Sequence, residues 1–248
     1  MLATIGMLSY SNTYPLGMAL AQDRDLILHY DTPNHLYSAL KAKELDVALT
    51  SSLHMRDPDL IPLSDYGIAA HKEVQSVILY HNGPLTSLEG KEIAISSETT
   101  TSFALLRILC QKLWHICPRF TLLSSSQKID PFPAALLIGD EALKEKKGFQ
   151  RQDLATAWYE LTKLPFVFAR FFIHNTSASL MAEITEKLEA SLPSSPRALP
   201  HLAQEVAIKK NIPFPLVQNY YQLLNYVLGP EEKRGLNEFI KLADDCNL

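Results

Sequence analysis

Short apolar runs that stop at polar turns, each followed by apolar residues at helical spacing, recur along this chain. Residues 5–8 (Ile-Gly-Met-Leu) are brief and uninterrupted, which predicts a buried strand. The run ends at Ser9-Tyr10-Ser11-Asn12-Thr13, and Pro15, Leu16, Ala19 and Leu20 then predict a helix. Proline suits that first turn, where its missing N–H costs nothing. Such a passage gathers backbone N–H groups and hydroxyls at the positive end of a helix, which suits an anion. For any one such turn an ordinary capped helix start is the better explanation, and it is recurrence that favours a site.

The same construction recurs downstream. Residues 26–30 and 45–49 predict strands, with a helix carrying Leu36 and Leu40 between them, and the second strand stops at Thr50-Ser51-Ser52. Strand and helix alternating through short links imply right-handed crossovers and a mainly parallel sheet. Residues 66–70 and 74–80 are further strand candidates, the latter containing Ser76, and His81-Asn82-Gly83-Pro84 breaks the pattern. A second α/β unit opens with a strand over 92–96, the polar turn Ser96-Ser97-Glu98-Thr99-Thr100-Thr101-Ser102 and a helix over 103–114. Strands over 120–123 and 134–138 follow, the second ending at Gly139-Asp140 before a helix over 141–147. A helix over 154–161 precedes a strand over 166–169 that runs back toward the first unit.

From residue 177 onward only helices are legible. Leu216, Tyr220, Leu223 and Val227 form one apolar stripe, and Leu236, Phe239 and Ile240 another, both read as packing faces. The expected architecture is therefore α/β and two-lobed. Lobe 1 takes residues 1–82 and 171–248, lobe 2 takes 83–170, and two strands near 75–80 and 166–172 cross between them. The helical tail packs on the first lobe. Ligands of open α/β sheets bind beyond the carboxyl ends of the strands, so a cleft between the lobes is the expected site.

The turns that converge there carry Ser9, Ser11, Asn12, Ser51, Ser52, Thr100, Thr101, Ser102 and Asp140. Hydroxyls, an amide and helix N-termini dominate, a lining suited to a small carboxylate held by neutral donors. Ser96-Ser97-Glu98-Thr99 also reads as a capping arrangement for the next helix, and Asp140 as a cap for its own. His71 and His174 flank the predicted inter-lobe strands.

Composition narrows the field. A chain of 248 residues with 47% hydrophobic content is long enough for two modest domains. Its net charge of −4 offers no electrostatic footprint for nucleic acid, and no basic cluster suggests a membrane surface. Cys110, Cys117 and Cys246 show neither a CxxC pair nor metal-ligand spacing, which suits a reducing compartment. With no bilayer-length apolar run and no secretory pattern at its start, a cytoplasmic protein is expected. Neither G-x-G-x-x-G, nor a P-loop, nor G-x-S-x-G occurs, so nucleotide cofactors and a serine-hydrolase elbow find no support.

Six short stretches, in register, resemble chorismate dehydratase of the futalosine route to menaquinone. Ile-Gly-x-x-Ser-Tyr-x-Asn-x-x-Pro falls on residues 5–15, Glu-Leu-Asp-Val-Ala-x-x-Ser-Ser on 44–52, and Ser-Val-x-Leu on 76–79. Thr-Ser-x-x-Leu-Leu falls on 101–106, Leu-Leu-Ile-Gly-Asp-x-Ala-Leu on 136–143, and Leu-Pro-Phe-Val-Phe-Ala on 164–169. Each is weak alone; together they are specific, and they cover the first two-thirds of the chain. The chain departs from the family pattern at Ser11, where leucine is usual, at Lys163 in place of a glycine, and at His71-Lys72-Glu73, which lacks one.

The resemblance implies a two-lobed periplasmic-binding-protein-like (type II) fold and a lyase that dehydrates chorismate to 3-[(1-carboxyvinyl)oxy]benzoate. Aromatisation drives that reaction, so no cofactor or metal is implied; the implied partner is a small dianion. It further implies that Asn12 hydrogen-bonds the departing hydroxyl or the enolpyruvyl group, with Ser76 nearby. Thr101 and Ser102 with helix N–H groups would hold one carboxylate, and Ser51 and Ser52 the other. Ser9, Ser11, Thr100 and Asp140 complete the set, and the substrate's own enolpyruvyl carboxylate is the expected proton acceptor. Two alternatives remain: the sister enzyme 1,4-dihydroxy-6-naphthoate synthase, whose Ser-Pro-x-Pro-Asn-Asp opening is missing here, and a non-catalytic small-anion binding or sensor protein.

Overall fold

A computed structural model describes residues 2–123, 128–191 and 200–248. Strand β1 (Ala3–Leu8) passes through one 3-10 turn (Ser11–Thr13) into α1 (Tyr14–Leu20). Then come β2 (Leu26–Asp31), α2 (Pro33–Lys41), β3 (Val47–Ser51) and the long β4 (Leu60–Ala70). The chain next builds β5 (Val77–His81), β6 (Glu92–Ser96), α3 (Thr101–Lys112), β7 (Arg119–Leu123), β8 (Ala134–Ile138), α4 (Gly139–Leu143), β9 (Gln150–Asp153) and α5 (Leu154–Thr162). Strand β10 (Phe166–His174) returns, and α6 (Ala178–Ser191), α7 (Pro200–Lys210), α8 (Phe214–Leu223), β11 (Leu224–Val227) and α9 (Pro230–Asp245) follow.

Two sheets result, ordered β11-β4-β10-β3-β1-β2 and β7-β6-β8-β5-β9. Each has a parallel centre, β2-β1-β3 in one and β7-β6-β8 in the other, extended by antiparallel strands. Both sheets are therefore mixed rather than mainly parallel. Strand β1 is buried along most of its length because layers cover both of its faces, which is why it reads as a continuous apolar run.

Sheet pairing also sets where the chain changes lobes. Strand β5, grouped with lobe 1 from sequence, pairs with β8 and β9 in the second sheet. The start of β10, grouped with lobe 2, pairs with β3 and β4 in the first. Among the described residues no strand is shared between the sheets; the chain crosses through residues 71–76 and again between α5 and β10. Both crossings hold a non-glycine residue in the left-handed region, Gln75 at φ 60° and Lys163 at φ 62°. The Asp153 carboxylate secures the first by accepting the N–H groups of Val74 and Gln75 at 3.0 and 2.7 Å. It also accepts from Ala155 N, at 2.8 Å, at the start of α5.

Most buried apolar residues of both lobes form one core. Trp158 on α5 is fully buried and meets Phe166 on β10 and Phe239 on α9 edge-on, at 5.3 and 6.2 Å between centroids. Second lobe, returning strand and tail are thus locked at one point. The tail is not purely helical: β11 adds an edge strand beside β4, and its polar Asn225 hides it from a helix-only reading. Strand β9 (Gln-Arg-Gln-Asp) escapes for the same reason, since an exposed edge needs no apolar alternation.

Candidate functional site

A cleft lies where the two lobes face each other. Asn12, Ser51, Ser76, Thr100, Thr101 and Ser102 all line it. Of the remaining predicted site residues, Ser9 and Asp140 line a wider adjoining opening that shares Tyr10, Glu98 and Ile138 with the cleft. Ser11 and Ser52 are fully buried outside the cleft wall; the Ser52 hydroxyl donates to the Val167 carbonyl at 2.6 Å. His71 and His174 do not line the cleft; His71 lies against Tyr159 and His174 against Thr176.

Each wall follows from its local sequence. Thr13 closes the turn after β1 by donating to the carbonyls of Leu8 and Tyr10 at 2.6 and 2.8 Å, which presents Asn12 to the cleft. Helix α3 starts at the opposite wall, and no side chain caps it. The sequence pattern of a capping box is not used as one. Thr99 bonds the Ser96 carbonyl at 2.6 Å, while Glu98 turns away to accept a hydrogen bond from Tyr10. An uncapped 12-residue helix thus points free N–H groups and its positive dipole end into the cleft.

Several contacts join the lobes around this space. The Ser51 and Thr101 hydroxyls meet, and Thr101 donates to the Phe168 carbonyl at 3.0 Å. Thr100 donates to Asn34 at 3.0 Å. The Asp140 carboxylate accepts from the Ser11 N–H at 2.9 Å and pairs with Lys210 at 3.0 Å, while Lys210 also donates to the Ser9 carbonyl at 2.8 Å. Asp140, a candidate ligand in the sequence, is here fully engaged as a clasp between lobe 2, the β1 turn and the tail. The lobes are therefore in direct contact around the cleft.

Residues the sequence reading passed over complete the wall. Tyr10 and Glu98 form part of it, and burial together with the adjacent carboxylate pushes the Tyr10 phenol far above its ordinary range. Glu98 is the single charged residue among the described residues lining the cleft. Behind that wall, Tyr220, read as part of a packing stripe, donates from α8 to Ser76 at 2.8 Å. Asn12 presents a buried side-chain oxygen that has no hydrogen-bond partner. An orphaned buried acceptor costs stability, on the order of 1–3 kcal/mol, unless a donor from outside the chain meets it.

Two α/β lobes around a donor-lined cleft are the architecture of periplasmic-binding-protein-like folds, and solved structures of that kind overlay this chain. A protein from Archaeoglobus fulgidus aligns with TM-score 0.77 at 16% identity, over 99% of this chain and 97% of its own. The alkanesulfonate-binding protein SsuA from Xanthomonas axonopodis pv. citri, bound to MOPS, aligns with TM-score 0.70 at 14% identity, over 99% and 93%. The sequence model of the menaquinone biosynthesis family matches residues 3–245, and the chain belongs to that family. Among curated relatives, chorismate dehydratase of Thermus thermophilus is 27% identical over 95% of this chain and 93% of its own length. Chorismate dehydratase of Campylobacter jejuni is 26% identical over 98% of each.

Proposed function

We propose that this protein is a lyase that dehydrates chorismate to 3-[(1-carboxyvinyl)oxy]benzoate for menaquinone biosynthesis. Family membership and the names of its curated relatives support the reaction; the cleft supports how it is done. The observation that carries the reading is the unpaired Asn12 oxygen, set in one cleft with the uncapped start of α3 and with Ser76.

Chorismate carries two carboxylates, and a ring hydroxyl beside the carbon that bears the ether oxygen. Breaking the C–O bond of that hydroxyl and removing the proton from the ether carbon releases water and leaves an aromatic ring. In our reading the N–H groups at the start of α3, with Ser102 beside them, hold one carboxylate. Ser51 and Thr101, already bonded to each other, shape the wall between the lobes. Asn12 Oδ1 accepts from the substrate hydroxyl and fixes its direction, and Ser76 donates to the same oxygen as it departs. With Glu98 engaged by Tyr10, the enolpyruvyl carboxylate of the substrate takes the ring proton. Three free thiols accord with action in the cytoplasm.

The test is incubation of purified protein with chorismate, with mass spectrometry of the product. The benzoate is expected, together with a fall in turnover of at least about 100-fold for Asn12→Ala. Chorismate retained unchanged, even if bound, would point to a binding protein instead. An Asn12→Ala variant of undiminished turnover would remove Asn12 from the reaction.

A further inference from the structure

The hydroxyl of Tyr220 is directed at one residue of the cleft wall. Tyr220 is 1% exposed, on α8 of the tail, and its O–H donates to Ser76 Oγ at 2.8 Å. Donation therefore runs from the tail into Ser76.

This direction has a consequence for Ser76. Ser76 has its oxygen occupied by the tyrosine proton, so its own proton must go elsewhere. The Tyr220 contact is its sole side-chain hydrogen bond among the described residues, and Ser76 lines the cleft. One buried phenol thus sets Ser76 as a donor toward the cleft, the polarity needed to stabilise a hydroxyl as it leaves.

We propose that Tyr220 is a positioning residue for the dehydration, fixing Ser76 as donor toward the cleft, and that the C-terminal tail thereby completes the active site. This rests on the function proposed above. Tyr220 does not line the cleft, so it acts only through Ser76.

The experiment compares the turnover of chorismate by the full-length wild type and by Tyr220→Phe, Ser76→Ala and the double variant. Tyr226→Phe is the control for loss of a buried tail hydroxyl. Tyr220→Phe is expected to lower kcat about 10- to 100-fold with KM changed less than about twofold, because it misdirects donors without removing carboxylate contacts. The double variant should be no slower than Ser76→Ala, since the tyrosine works through that serine. Incorporating 4-aminophenylalanine at position 220 keeps a donor toward Ser76 and should return turnover to within about tenfold of wild type; this variant also decides the matter if Tyr220→Phe does not fold. Wild-type kcat in Tyr220→Phe, multiplied losses in the double variant, an equal loss in Tyr226→Phe, or a folded 4-aminophenylalanine variant as slow as Ser76→Ala would each overturn the role. A wild-type protein that leaves chorismate intact would instead overturn the proposed reaction, and this role with it.

Discussion

The ring of Tyr10 lies so close to Gly139 that a Cβ there would come within 2.7 Å of Tyr10 Cδ1. Gly139 also has φ +59°, in the left-handed region, so it is constrained by its backbone and by its neighbour at once. The two residues come from different lobes, and Tyr10 is held between Gly139 and Glu98. Gly139→Ala should lower stability by about 1–3 kcal/mol, combining left-handed strain with the clash. It should also impair turnover by displacing Tyr10 from the cleft wall. Thermal unfolding and a chorismate assay on the same preparation test both; an alanine variant with wild-type Tm and rate would show that Tyr10 yields freely.

The clasp at Asp140 gives a different signature. Its carboxylate receives Lys210 and the Ser11 N–H, and both side chains of the ion pair are mostly shielded. Lys210→Met should weaken closure, raising KM several-fold more than it lowers kcat. Small-angle scattering should then show a larger radius of gyration without ligand. A variant whose KM and radius match the wild type would show that the lobes stay closed without it.

His54 should make stability pH-dependent well away from the site. Its ring stacks on Tyr37 at 3.9 Å, its Nδ1 is buried without a partner, and burial lowers its pKa from 6.5 to about 4. The unfolded chain therefore binds a proton through the window between those values while the folded protein does not. Stability should fall as pH drops from about 6.5 toward 4, by an amount on the order of 2 kcal/mol, and be fully present above that window. Denaturant unfolding of wild type and His54→Phe across this range checks it; parallel curves for the two would assign the dependence to other groups.

Tyr226 offers a gain. It is 2% exposed, and its hydroxyl has no hydrogen-bond partner. Tyr226→Phe removes that orphan group and should raise stability by up to about 1 kcal/mol in chemical denaturation. A destabilised variant would mean that the hydroxyl has a partner in solution.

Much of the architecture was legible because it is written in local pattern. Strands β6 and β8 were readable to the residue, since buried parallel strands are short uninterrupted apolar runs. The turns after β1 and β3 and before α3 stood out because hydroxyl and amide residues cluster where strands end. Edge strands β9 and β11 were missed, being half-exposed and polar. The lobe boundaries were displaced because a strand's sequence says that it is buried, not which sheet takes it in.

For the site, the chain by itself determined the chemistry on offer: neutral donors at strand ends, and helix starts suited to carboxylates. Tertiary structure alone decided which of those groups share a cavity. It engaged Asp140 and buried Ser52 against a carbonyl, and it brought in Tyr220 from 144 residues away along the chain. The physical reason is range. Propensity, capping and hydrophobic period act over a few residues, whereas a hydrogen bond from Tyr220 to Ser76 exists only once distant segments have packed.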